Sequence, residues 1–210
     1  MFLLCFCSSF ISLAARLLGN ETDRLALLAF KSQITLDPSQ VLNSWNTSNH
    51  FCEWEGVICG HKHERVTKLY LRSRGLVGSI SPHIGNFSFL RHLDLANNSF
   101  QGEIPARLDQ LSRLENLILF NNSLVGPIPV NISFCSNLKY IDLYNNHLVG
   151  NIPRESGSLQ KLTTLDFGLK RLTGGIPLSF GNLTSLQYLN LGVNHLDGNI
   201  PSALGRLRNL

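Results

Sequence analysis

Leu90-Arg91-His92-Leu93-Asp94-Leu95-Ala96-Asn97-Asn98-Ser99-Phe100-Gln101-Gly102-Glu103-Ile104-Pro105 is the stretch that decides the fold. Its leucines at 93 and 95 alternate as in a short strand with one face inward. The pattern returns every 24 residues, with Leu69, Leu93, Leu117, Ile141, Leu165 and Leu189 in the first place. Two residues on come Leu71, Leu95, Leu119, Leu143, Phe167 and Leu191. Gly78, Gly102, Gly126, Gly150, Gly174 and Gly198 keep the same interval, and Ile-Pro follows at 104–105, 128–129, 152–153, 176–177 and 200–201. Chance does not hold register over such a length, so the chain reads as a stack of coils with one continuous core.

The repeat is a leucine-rich repeat, and the expected fold is an α/β repeat solenoid. Its parallel strands line a concave face, the coils wind as a right-handed superhelix, and a helical, disulfide-bonded cap covers the N-terminal end. The expected division is a signal peptide at 1–19, a cap at 20–65 and six repeats at 66–89, 90–113, 114–137, 138–161, 162–185 and 186–209. Leu210 then opens a truncated seventh repeat.

Beyond each strand the chain must turn with peptide groups facing the core. A buried Asn both donates and accepts, and Asn98, Asn122, Asn146 and Asn194 occupy that place as a ladder. Arg74 and Lys170 replace it in the first and fifth repeats. Both are expected to reach outward on their apolar stems, with local weakness around Gly168. In the second half of each unit, Ser156 interrupts a row of large apolar residues, while Cys135 falls at an inward position and reads as a buried free thiol.

The first residues, 1–15, are apolar over the length of a signal-peptide core and too short to span a bilayer, although a positive n-region is missing. A leader there carries Cys5 and Cys7 away and leaves Cys52, Cys59 and Cys135. Sequons begin at Asn20, Asn46, Asn86, Asn97, Asn121, Asn131 and Asn182, so N-linked glycans and a secretory, extracellular location are expected. The net charge is +4 with Lys and Arg scattered singly, which argues against nucleic acid as a partner.

In the cap, Thr22 or Asp23 is expected to start a helix through Lys31, with Leu25, Leu28 and Ile34 on its apolar face. Asp37-Pro38 opens a shorter helix toward Leu42 and Trp45. Cys52 and Cys59 are read as a disulfide that fixes Trp54 and Val57 over the first coil, with Trp45 in the same core. The rival, a metal site, lacks further ligands beyond His61 and His63 in a polar turn, so no metal or cofactor is expected.

The side chains expected to point out from the strands are read in register. Tyr70, Arg72, Asp94, Ile118, Phe120, Tyr140, Asp142 and Tyr144 form the candidate binding face. Aromatic groups fill its centre, and Asp94 and Asp142 are taken as a solvated border. Glycans at Asn97 and Asn121 would sit at its rim. Catalysis is not expected: no phosphate loop, catalytic-loop motif or zinc spacing occurs, and the acids at 94, 142 and 166 read as repeated surface groups rather than a hydrolytic pair.

Trp45, Cys52-x-Trp54-x-Gly56-Val57-x-Cys59, the helix Thr22-Asp23-x-x-Ala26-Leu27-Leu28-x-Phe30-Lys31 and the Leu-Asn-Gly-Ile-Pro unit together resemble the plant extracellular leucine-rich-repeat receptor family. The opening is similar to the receptor kinases that sense bacterial elongation factor Tu and their rice resistance relatives. The resemblance implies a cell-surface ectodomain that binds a peptide, protein or steroid and recruits a short-ectodomain co-receptor kinase. It also implies a parent with a membrane helix and a serine/threonine kinase, in immune or developmental signalling. A short secreted adaptor, co-receptor-like protein or wall-enzyme inhibitor is the alternative. The chain is expected to be a fragment or truncated gene product of such a receptor.

Overall fold

The structure, a computed structural model, describes residues 19–210. The expected leader, with Cys5 and Cys7, lies outside the described residues apart from Gly19. Helix α1 runs through 19–31, followed by β1 (Ile34–Leu36) and β2 (Val57–Cys59). Six coils follow, each with two strands and a 3-10 turn. Their strands are β3 (Val66–Tyr70) and β4 (Val77–Ser79), β5 (His92–Asp94) and β6 (Ser99–Glu103), and β7 (Asn116–Ile118) and β8 (Ser123–Pro127). Then come β9 (Tyr140–Asp142) and β10 (His147–Asn151), β11 (Thr164–Asp166) and β12 (Arg171–Gly174), and β13 (Tyr188–Asn190) and β14 (His195–Leu196).

The strands expected from the leucine alternation form one seven-stranded sheet in the order β13-β11-β9-β7-β5-β3-β2. Its six coil strands are parallel, and partners lie one repeat apart, as in Leu69↔Leu93 and Leu165↔Leu189. The cap strand β2 closes the N-terminal edge antiparallel to β3, so the first coil has no bare strand edge on that side.

A second seven-stranded sheet, β1-β4-β6-β8-β10-β12-β14, was not anticipated. The cap strand β1 joins β4 antiparallel, and among the coil strands the partners are 22 residues apart rather than 24, as in Gly102↔Leu124 and Gly126↔Leu148. Each coil strand is therefore slipped by two residues, roughly 7 Å, against its neighbour. An even slip preserves which side chains face inward, so Phe100, Leu124, Leu148 and Leu172 all stay buried. The repeat glycines make this geometry possible, since Gly102, Gly126 and Gly150 have φ of 79°, 77° and 82°, where a Cβ is strained.

The asparagine ladder is continuous where asparagine is present. Asn122 Nδ2 donates to Leu95 O at 3.0 Å and Leu119 O at 3.0 Å, while its Oδ1 accepts from Phe100 N at 2.9 Å. Asn146 and Asn194 repeat this set, and Asn98 Oδ1 accepts from both Arg74 N and Leu76 N. One side chain thus serves peptide groups of two successive coils, each of which costs about 1–3 kcal/mol if left unpaired.

Arg74 does reach outward, to a 2.8 Å ion pair with Glu55. Lys170 does not. It is 6% exposed, and its Nζ donates to Leu143 O and Gly168 O, two of the carbonyls that an asparagine at 170 would serve. The outward expectation failed because the empty donor site in the ladder captures the ammonium. Burial pulls its pKa down to about 7, with Asp166 and Asp142 pulling the other way.

The cap also departs from expectation. Helix α1 already runs at Gly19, so Thr22 and Asp23 are interior to it rather than at its start. Asp23 is fully buried: it accepts from Arg65 Nη2 at 2.7 Å, Arg65 Nε at 2.9 Å and Val66 N at 2.8 Å. The helix face that packs on the solenoid is Asp23, Ala26, Leu27 and Phe30, and Leu25 points to solvent. Asp37 caps the next turn, accepting from Val41 N and Leu42 N, though that turn is the short 3-10 segment Val41–Ser44. Cys52 and Cys59 are bridged, with Cα atoms 5.5 Å apart. Trp45, Trp54 and Val57 are buried, and the two indoles stack at 5.5 Å.

A candidate binding face on the strand sheet

The side chains at 94, 142, 166 and 190 end their strands in the same way. Oδ1 of each accepts from the amide two residues on: Ala96 at 3.1 Å, Tyr144 at 3.0 Å, Gly168 at 2.9 Å and Gly192 at 3.0 Å. This local turn explains why Asp or Asn recurs there. It also corrects the solvated border: Asp94 is 1% and Asp142 8% exposed, beneath the side chains of neighbouring coils. Ile118, expected in the outward patch, is 8% exposed and belongs to the layer below.

What remains exposed is divided by charge. At the N-terminal end, Arg72 forms a two-point pair with Asp94, at 2.9 Å through Nη2 and 3.2 Å through Nε. Its guanidinium then lies 5.1 Å from the Phe120 ring and 6.0 Å from Tyr70, so Arg72 links three coils. Burial holds His92 below its usual range. Further along, Phe120, Asn121, Asp142, Tyr144, Asp166, Tyr188 and Asn190 line a recess of about 470 Å³. Tyr140 and Tyr188 hydroxyls donate to Asp142 and Asp166, both at 3.4 Å, and Asn190 Nδ2 donates to both Asp166 oxygens at 3.1 Å. Burial pushes the Asp142 carboxyl up, while the Tyr144 amide opposes this.

Of the lining groups, sequence reasoning singled out Phe120, Asp142 and Tyr144 but missed Asp166, Tyr188 and Asn190, and Tyr140 stands beside the recess on Asp142 rather than in its lining. Gly168 opens that end: a Cβ there would stand 2.5 Å from Asn190 Nδ2. The signal available was the absence of a side chain at 168 and 192 in a row otherwise filled by Arg72, Ala96, Phe120 and Tyr144.

Along the rim, Asn121 Nδ2 donates to Asn97 Oδ1 at 2.8 Å and Asn145 Nδ2 to Asn121 Oδ1 at 2.9 Å, a second, outer asparagine row. Among sequon residues, Asn46, Asn97 and Asn182 are exposed. Asn131 Nδ2 donates to Asp109 at 3.2 Å. Asn20 and Asn46 face a separate polar recess beside α1, and Asn86 is half-buried. Cys135 is buried, its thiol donating to Leu108 O at 3.0 Å, and burial pushes its pKa up to about 12. That thiol is protonated at ordinary pH and is no nucleophile.

Comparison with known proteins agrees with this architecture. The leucine rich repeat N-terminal domain family matches residues 20–60, and the Leucine Rich Repeat family matches 89–111, 137–159 and 185–207. The solved ectodomain of BIR2 from Arabidopsis thaliana superposes with a TM-score of 0.75 at 32% identity, covering 86% of this chain and 97% of that one. The chain belongs to the plant leucine-rich repeat receptor ectodomains.

Among curated relatives of this receptor ectodomain, the LRR receptor-like serine/threonine-protein kinase EFR of Arabidopsis thaliana is 57% identical over 83 residues. The match covers 39% of this chain and 8% of EFR. The Arabidopsis receptor kinase HAESA, solved with the peptide hormone IDA and the co-receptor SERK1, gives a TM-score of 0.82 at 36% identity, covering 90% of this chain and 32% of that one. Among the described residues of this receptor ectodomain, no helix is long and apolar enough to cross a membrane.

Proposed function

We propose that this chain is the N-terminal, extracellular part of a plant receptor-like serine/threonine kinase. In this reading the strand face binds a peptide or protein and a co-receptor kinase ectodomain joins the complex, in immune or developmental signalling. The observation that carries the reading is the recess between Phe120 and Asn190. It is large enough for two or three side chains, walled by Phe120, Tyr144 and Tyr188, and floored by Asp142 and Asp166. A ligand segment with a cationic or hydrogen-bond-donating side chain complements that floor. HAESA, similar across most of this chain, was solved with a peptide hormone and a co-receptor.

The test is selection of peptides from a random library on the secreted ectodomain, followed by affinity measurement on wild type and a Phe120→Ala, Tyr144→Ala pair checked for folding. Loss of at least tenfold affinity supports the reading, since anchoring aromatics each contribute about 1–2 kcal/mol or more. Peptides that bind both proteins equally remove the recess as the site. A second reading, a short co-receptor-like protein, draws on the near-complete coverage of the BIR2 ectodomain. A transcript that runs on into many further repeats and a kinase rules it out.

We also propose glycans at the exposed sequons Asn46, Asn97 and Asn182. Glycosidase treatment followed by peptide mass mapping of the secreted protein reads the occupancy of each site.

A further inference from the structure

The 3-10 turn of the third coil, Val130–Phe134, differs from its counterparts in the other coils. Its last position holds Phe134, where the other coils place Asn86, Gln110, Ser158, Asn182 and Arg206. Phe134 is 66% exposed, the most exposed aromatic side chain among the described residues, so core packing does not account for it. The second position of the same turn is Asn131, which opens the sequon Asn131-Ile132-Ser133. At that position the other coils carry His83, Arg107, Glu155, Ser179 and Ala203, none of them asparagine. The exposed ring and the sequon thus fall in the same coil.

Turn geometry brings the two side chains together. In a 3-10 segment residues i and i+3 eclipse, separated by roughly 6 Å along the axis. Asn131 and Phe134 stand in that relation, while Ile132 between them is buried. Asn131 Nδ2 donates to Asp109 Oδ2 on the preceding coil at 3.2 Å, which orients the amide. A side-chain amide has two N–H groups and N-linkage consumes one, so this bond is compatible with a sugar on the same nitrogen.

The size of the patch decides what covers it. Val130 is the exposed apolar neighbour on the same turn. The next coil presents Arg154, whose side chain is 86% exposed, and the exposed Leu178 belongs to the coil beyond it. An apolar area one coil wide lacks the cluster of anchors that a protein interface requires. One face of an N-acetylglucosamine ring fits instead. It is about as broad as a phenyl ring, and its C–H groups carry the polarity that complements the negative face of an aromatic ring.

We propose that Asn131 carries an N-linked glycan whose first N-acetylglucosamine lies on the Phe134 ring and covers this turn. The inference rests on the secretory reading given above and is independent of the peptide recess.

The test uses the full chain secreted from a glycosylating host. Peptide mass mapping reads occupancy at Asn131 beside Asn46, Asn97 and Asn182. Thermal unfolding then compares wild type, Phe134→Ser, Asn131→Gln and the double variant, with every other sequon intact. Phe134→Ser should lower the midpoint by about 2–4 °C when the glycan is present. In the Asn131→Gln background the same substitution should leave the midpoint unchanged or raise it. Trimming every glycan to its first sugar with an endoglycosidase should leave the Phe134 effect intact. An empty Asn131 beside occupied sequons, an equal Phe134→Ser effect in both backgrounds, or its loss on trimming overturns the proposal. A chain without sugar at any sequon overturns the secretory reading as well.

Discussion

Replacing Lys170 with asparagine should make this solenoid more stable, and by an amount that depends on pH. The wild-type ammonium occupies the donor half of a ladder position but offers no acceptor. By register, an asparagine at 170 accepts from the Leu148 amide as Asn146 does from Leu124 and Asn194 from Leu172. Supplying that acceptor is worth about 1 kcal/mol. Removing the buried charge adds more. With the pKa drawn from 10.5 to about 7 by burial, the charge penalty has an upper bound of about 5 kcal/mol. The bonds to Leu143 and Gly168 carbonyls accompany the charged form, so a net gain of about 3 kcal/mol is expected at acid pH.

The sign follows from proton counts. Between pH 7 and 10.5 the unfolded chain holds the Lys170 proton more tightly than the folded one, so wild-type stability rises with pH across that window. The penalty is present in full below pH 7 and relieved above it. Lys170→Asn lacks this dependence, and its advantage should shrink by about 1.4 kcal/mol per pH unit as the wild type recovers. Urea unfolding at about pH 5.5 and about pH 9 measures both gaps, and in thermal scans 3 kcal/mol corresponds to about 6–12 °C for a chain of this size. A variant no more stable than wild type at acid pH, or a gap equal at both pH values, refutes the reasoning.

Asp23→Asn leaves Arg65 with half a partner in a buried site and should cost about 3 kcal/mol in urea unfolding, loosening the cap before the coils. Ser156→Ala should be neutral or stabilising by up to about 1 kcal/mol, because the fully buried hydroxyl has no hydrogen-bond partner among the described residues; a destabilisation in thermal unfolding contradicts it. Val193 is β-branched, exposed and left-handed at φ 55°, where the second to fourth coils place asparagine, so Val193→Asn should raise stability by about 1 kcal/mol. Calorimetry of the two proteins side by side decides it.

The sequence by itself determined the period, the strand positions, the asparagine ladder and the cap pairing of Cys52 with Cys59, because each rests on a local pattern repeated in register. Leu93 and Leu95 must face one way, and an asparagine at a coil turn has few uses other than pairing peptide groups. The tertiary structure decided the features that depend on what the adjacent coil presents. Lys170 turned inward because the carbonyls of Leu143 and Gly168 lay unserved one coil apart, a vacancy visible only once the coils are stacked. Asp23 became a buried partner rather than a helix cap because Arg65, 42 residues away, lies against it. Asp94 and Asp142 sank beneath the strand face because neighbouring coils cover them, and Ile118 with them. The two-residue slip of the second sheet is of the same kind. One coil carries the residues for either register, and the choice between them is made by glycine geometry and packing between coils.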